Sequence, residues 1–211
     1  MKHYPVNLNL LNKKVVIIGG GKVAERKLFK LLETEADITV VSPKVTERIV
    51  HVVEEGRVKW KQTTFSKEDV KAAFLVIAAT NSKQVNDDVY ESCRDQQLVS
   101  LVDDPSRSNF IVPSTLHRGK LVISVSTSAA SPGLSKKITE KLSAQFDDAY
   151  EEYVEFLSQC RLKVLDEIDE AEQRRRIFQK LLEPEFLELT REKSYLKRDE
   201  LFLALLKKER N

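Results

Sequence analysis

Three consecutive glycines placed directly behind a β-branched run constrain this chain more than any other feature. Val15-Val16-Ile17-Ile18 is short, apolar and continuous, the pattern of a strand buried on both faces. Gly19-Gly20-Gly21 follows at once, and a helical pattern opens behind it with Val23, Ala24, Leu28, Leu31 and Leu32 on one side. Strand, glycine turn and helix in that order make the first part of a parallel crossover unit. The alternation continues with strands expected over 38–41, 58–61, 74–79 and 98–102 and helices over 46–55 and 84–94. The 58–61 run alternates apolar with Lys, as a strand near a sheet edge does. Buried β-branched runs separated by helices predict an α/β domain with a parallel sheet.

The rhythm changes after Asp103. Residues 110–113 read as a short extended piece and 121–127 as a strand. Ser131-Pro132 is a helix N-cap with proline at the first helical position, followed by Leu134, Ile138 and Leu142 at helical spacing, with Phe146 continuing that face. All six glycines lie before residue 134, and Pro184 is the single breaker expected in the last 71 residues. That tail reads as helices over 150–168, 173–182 and 197–208. The expected organisation is 1–113, 114–145 and 146–211: a sheet domain, a small linking domain and a helical domain.

Composition narrows the classes. No apolar run approaches the roughly 18 residues that span a membrane, and the first residues show no secretory signal. Cys93 and Cys160 stand far apart and read as free thiols of a reducing cytoplasm. A net charge of +2 does not fit a strongly basic nucleic-acid binder. The charge is uneven: residues 141–211 carry 14 Lys+Arg against 17 Asp+Glu, so of the chain's 35 and 33 the first 140 residues keep 21 and 16. That balance suits an anionic cofactor and an anionic substrate, and equally an ordinary solvated surface.

Gly19-Gly20-Gly21-Lys22-Val23-Ala24 fits G-x-G-x-x-A, and its place between strand and helix gives the match its meaning. Gly19 permits the turn, Gly21 lets the backbone approach a pyrophosphate, and Ala24 lets helix and strand pack closely. Phosphates would sit on the free N–H groups of the helix N-terminus. The plainer reading is a glycine turn with no ligand. The second strand lacks the acid that usually holds the ribose of NAD, ending instead Val40-Val41-Ser42-Pro43-Lys44. Ser42 can bond a ribose hydroxyl and Lys44 tolerates a 2′-phosphate, so this rule leaves NAD against NADP open. Ala78-Ala79-Thr80-Asn81 ends a later strand, which places Thr80 and Asn81 along a cofactor crevice or simply in helix–sheet packing.

His3, His51 and His117 have no ligand partners at helical spacing, and there is no GxSxG and no Walker lysine, so no metal site and no nucleophile are expected. Asp103 and Asp104 stand out by place: they end the fifth strand at the carboxyl edge, where ligands bind in open α/β folds. Capping a turn before Pro105 would explain such an acid equally well.

Several stretches, in order and spacing, resemble one family. They are Tyr4-Pro5-Val6-Asn7-Leu8, the segment from Val16 through the glycines to Lys27, Val41-Ser42-Pro43, Ala78-Ala79-Thr80-Asn81, Val102-Asp103-Asp104-Pro105, Asn109-Phe110-Ile111-Val112-Pro113-Ser114 and Ser126-Thr127-Ser128-Ala129-Ala130-Ser131-Pro132. The chain is similar to precorrin-2 dehydrogenases, also called sirohydrochlorin synthases, through residues 1–145. The resemblance implies a Rossmann-type parallel sheet, a small dimerisation domain over 114–145 and a C-terminal helical domain. It implies dehydrogenation of precorrin-2, an octacarboxylate tetrapyrrole, to sirohydrochlorin with NAD+ as hydride acceptor, in siroheme biosynthesis by a cytoplasmic homodimer. Some members also insert ferrous iron. Cofactor contacts fall on Gly19, Gly20, Gly21, Lys22, Val23, Ser42, Pro43 and Lys44, and the family aspartate falls on Asp103. His117 and Ser124 are candidates for the substrate cleft. Two other readings stay open at this point: a nucleotide-sensing binding module, which leaves Asp103 without a task, and a Rossmann reductase for another small substrate.

Overall fold

The computed structural model describes residues 3–210; Met1, Lys2 and Asn211, the ends of the expected first and third domains, lie outside the described residues. The chain divides into two compact units, residues 1–112 and 113–211.

The first unit is a five-stranded sheet. Its strands are β1 (Lys14–Ile18), β2 (Asp37–Val41), β3 (Lys59–Lys61), β4 (Leu75–Ala78) and β5 (Leu98–Leu101), in the order β3-β2-β1-β4-β5 and all parallel. The α/β expectation is met, with the edge place of residues 59–61 included. Alternation sorts the strand side chains into two layers. Val15, Ile17, Val40, Leu75 and Ile77 pack under α1 (Lys22–Leu31) and α2 (Glu47–Glu54) through Ala24, Leu28, Ile49 and Val52. Val16, Ile18, Val41, Val76 and Ala78 pack on the other face against α3 (Lys83–Ser92) through Val89. Full burial of each such aliphatic contributes about 1.5–3 kcal/mol, which is why these runs are continuous rather than alternating in sequence. Register levels the carboxyl ends: Ile18 pairs with Val41 and with Ala78, and Ala78 with Leu101. The turns that follow these four residues therefore leave from one row.

The second unit begins with an antiparallel hairpin, β6 (Ser114–Arg118) and β7 (Leu121–Val125), turned by Gly119-Lys120, with Gly119 at φ 54°. Strand β6 has no counterpart in the sequence expectations, because Leu116 is its one apolar residue. Helix α4 (Pro132–Gln145) starts on the Ser131 cap, whose side chain accepts from Leu134 N. Phe146 was expected to continue this helical face but does not: it leaves the helix at φ −105°, ψ 79° and lays its ring against Tyr150 at 5.0 Å. Helices α5 (Ala149–Glu167), α6 (Ala171–Lys180), α7 (Pro184–Arg191) and α8 (Tyr195–Arg210) enclose Tyr153, Phe156, Cys160, Val164, Ile177, Leu181, Phe186, Phe202 and Leu206. Helix α7 is a correction. Pro184 reads as a breaker in the sequence, but it occupies the first turn, where a missing N–H costs nothing. Among the described residues no helix is long and apolar enough to cross a membrane.

Candidate functional site

The three glycines have three different tasks. Gly19 sits at φ 118°, and a Cβ there would lie 2.4 Å from the Ala79 carbonyl oxygen, so both its conformation and the close pass of the β4 turn require glycine. Gly20 is squeezed by the β2–α2 turn. A Cβ would lie 2.1 Å from the Lys44 carbonyl oxygen and 2.9 Å from Ser42 Oγ, while Gly20 itself accepts a hydrogen bond from Thr46 N at 3.0 Å. Gly21 is the opposite case. It is the N-cap of α1 without a side-chain cap, and a Cβ there meets nothing within 4 Å. The first N–H groups of α1 therefore face an open space at the positive end of the helix. An uncapped helix start beneath a glycine with empty room above it fits the pyrophosphate of a dinucleotide.

The turn after β2 is held by backbone bonds on both sides. Ser42 N donates to Lys61 O at 3.1 Å, and Trp60 Nε1 donates to Ser42 O at 2.9 Å. Ser42 Oγ gives its proton to Lys44 O at 2.7 Å, which leaves it only lone pairs to offer a ribose hydroxyl. Pro43 and Lys44 are exposed.

Beside the glycine turn lies Glu25, which sequence reasoning passed over although it is 5% exposed. Its carboxylate meets Arg48 Nη1 at 3.1 Å and Lys22 Nζ at 3.7 Å. Thr46 Oγ1 and Glu25 Oε2 are both buried, and neither completes a hydrogen bond of good geometry. The nearness of that hydroxyl, with the charges of Lys22 and Arg48, still holds the Glu25 carboxyl below its ordinary range. Lys22 is thus partly neutralised from below, while its ammonium stays in solvent. Val23, half-buried, packs against the core under α1.

At the end of β4, Thr80 Oγ1 bonds Asn86 Oδ1 at 2.7 Å, and Asn86 Nδ2 donates back to Thr80 O at 3.3 Å. The Thr80 hydroxyl is turned toward α3 rather than outward. Asn86 is 1% exposed and had no signal in the sequence, since an asparagine inside a helix looks like surface. Asn81 is exposed.

The two aspartates behind β5 separate cleanly. Asp104 caps its own turn: its carboxylate accepts from Ser106 N at 3.1 Å and from Ser106 Oγ, and those bonds, aided by Arg107, hold its acid below the usual range. Asp103 is exposed and, among the described residues, has no hydrogen-bond or ion-pair partner. The turn-capping task before Pro105 thus falls to Asp104, and Asp103 is left facing solvent at the carboxyl edge.

His117 and Ser124 belong to the second unit. They share one face of the hairpin, since Thr115 pairs with Ser124 and His117 with Val122, and both are exposed. Among the described residues no group of three His, Cys, Asp or Glu could hold a metal ion.

Residues 6–114 match a family model described as "Putative NAD(P)-binding". The chain is 41% identical over 159 residues to the precorrin-2 dehydrogenase of Bacillus subtilis (strain 168), covering 75% of this chain and 98% of that protein. It is 35% identical to the precorrin-2 dehydrogenase of Priestia megaterium, covering 76% and 80%. The fold superposes on a solved structure of SirC, a precorrin-2 dehydrogenase, with a TM-score of 0.82 at 30% identity, covering 98% of this chain and all of that one.

Proposed function

Because the chain belongs to the precorrin-2 dehydrogenase family, we infer that it oxidises precorrin-2 to sirohydrochlorin with NAD+ in siroheme biosynthesis. The observation that carries the reading lies in one row of strand ends. Behind Ile18 stands a helix start opened by Gly21, and behind Leu101 stands the unpaired carboxylate of Asp103. NAD+, when bound, supplies the acceptor for the hydride. The N–H groups of residues 21–23 hold the pyrophosphate, and the 42–44 turn faces the ribose, with Ser42 accepting from a hydroxyl. Removal of two hydrogens from precorrin-2 sends one away as hydride and the other as a proton. Asp103 takes that proton, a task its freedom from other partners leaves open. Thr80 and Asn81 border the same row, and His117 and Ser124 of the second unit are proposed as substrate contacts.

We assign residues 114–145 to a homodimer contact. Leu116 is the one apolar side chain in this stretch that is buried, while Val122 and Leu134 are 41% and 49% exposed. Helix α4 already packs on both strands of the hairpin, and a second copy would cover the apolar side chains that stay exposed. Protonated free thiols at Cys93 and Cys160 fit a reducing cytoplasm.

The test is direct: supply precorrin-2 and NAD+ and follow the sirohydrochlorin spectrum. Asp103→Asn should lower kcat by a factor on the order of 10² while NAD+ affinity holds. Asp104→Asn should turn over normally. NAD+ binding without any turnover would instead leave a nucleotide-sensing module.

A further inference from the structure

The loop that carries Asp103 is pinned at its base and braced at one point. Val102 N donates to Ala78 O at 3.0 Å, which fixes the loop's start. Its return is fixed on β5 itself: Leu101 N donates to Ser108 Oγ at 2.9 Å, and Val99 N to Asn109 Oδ1 at 2.8 Å. Asn109 N donates back to Val99 O at 3.1 Å, and Asn109 Nδ2 to Gln97 O at 2.7 Å. Between these anchors lie residues 103–107. Asp104 and Ser106 bond only within the loop. Of the side chains in this stretch, that of Arg107 reaches another element. Its Nη1 bonds Asp87 Oδ1 on α3, and its guanidinium lies over the Tyr90 ring, 4.3 Å from the centroid. The backbone ties Arg107 to the acid end of the loop, since Arg107 N donates to Asp104 O at 3.3 Å.

We propose that Arg107 is a positioning residue for Asp103, clamping the loop to α3 through Asp87 and Tyr90 so that the neighbouring carboxylate stays where the substrate's proton leaves. The proposal rests on the reading of Asp103 as the proton acceptor. A planar guanidinium that both pairs with a carboxylate and stacks on a ring fixes orientation in a way an ammonium does not. Pair and ring are each about a third exposed, with the Arg107 side chain at 33%, Asp87 at 28% and Tyr90 at 37%, so the clamp is a surface brace rather than part of the core. Its loss should therefore loosen the loop without unfolding the sheet. A misplacement of about 1 Å at a reacting group can cost as much as 10²-fold in rate.

The experiment is a double-mutant cycle on the full chain, with kcat, the NAD+ dissociation constant and the melting temperature measured for each variant. Arg107→Ala should lower kcat about tenfold, leave NAD+ affinity within about twofold, and cost nothing further in the Asp103→Asn background. Arg107→Lys keeps the ion pair and should restore part of kcat. Asp87→Asn removes the charge partner from the α3 side and should reproduce the loss, so the result does not hang on one variant folding. If Asp103→Asn lowers kcat while Arg107→Ala and Asp87→Asn do not, the clamp is refuted and the acid's role stands. Equal losses from Arg107→Ala in both backgrounds refute it too, since Arg107 would then act without Asp103. If Asp103→Asn turns over normally, the catalytic reading of Asp103 fails and the clamp fails with it.

Discussion

The first unit and the hairpin segment of the second bury apolar surface in opposite ways. Strands β1, β2 and β4 are covered on both faces by helices of their own chain, and their residues 15–18, 40–41 and 75–78 are all buried. The hairpin and α4 leave most of their apolar side chains half-covered or exposed. A sheet finished within the chain can carry reactive groups on its end turns, because pairing holds the strand ends in register. A segment left half-covered is suited instead to meeting another surface.

The sharpest way to break this comparison is at Gly21. Gly21→Asp puts a carboxylate where the pyrophosphate belongs, and NAD+ binding should vanish while circular dichroism and melting stay those of the parent. Near-parent affinity would reject this loop as the cofactor site. Gly20→Ala is the counterpart, because its Cβ meets the protein rather than open space. It should cost about 1–3 kcal/mol of stability by displacing the 42–46 turn, whereas Gly21→Ala should cost little in stability.

Next in size is the effect on assembly. Val122→Glu combined with Leu134→Glu should halve the mass seen by sedimentation at micromolar concentration, with secondary structure unchanged. A parent that already sediments as a monomer would sink the dimer contact and leave the exposed face unexplained.

The smallest effect sharpens the division between units. Burial pushes the Cys93 thiol up to about 11, and burial, opposed in part by Arg198, pushes Cys160 up to about 12. Neither is a thiolate near pH 8, so labelling should be slow in the native protein. Cys93 belongs to the first unit and Cys160 to the helical core. In rising denaturant, two separate labelling midpoints are expected if the units open independently. A single shared midpoint would mean that they unfold as one.

Much of this was legible in the chain. The runs 15–18, 38–41 and 75–78 announce buried parallel strands because their burial is two-sided, and the cap at Ser131-Pro132 announces α4. Strand β6 stayed hidden because four of its five residues are polar or charged, and β7 supplies the pairing that makes it a strand. Helix α7 stayed hidden because a proline at a helix start and a proline in a break look alike without the preceding backbone. At the site, Gly19, Gly21 and Asp103 could be named from position. The resemblance favours Asp103 over Asp104, but position alone could not separate them, since the split of tasks depends on which carboxylate Ser106 turns toward. Asn86 and Arg107 draw their meaning from partners 6 and 20 residues away, a distance that no local pattern encodes.

The return of residues 108–109 along β5 has a further consequence, for life at high concentration. A sheet of five strands has two open borders, and an unpaired border is a template on which a neighbouring molecule can add a strand. Here Ser108 and Asn109 occupy the amide and carbonyl positions of Leu101 and Val99 that such a strand would need. At the other border, β3 is only three residues long, so it offers an incoming copy little backbone to pair with. Two side chains at one border and a strand of three residues at the other thus let a sheet stop at five strands without becoming a seed for intermolecular aggregation.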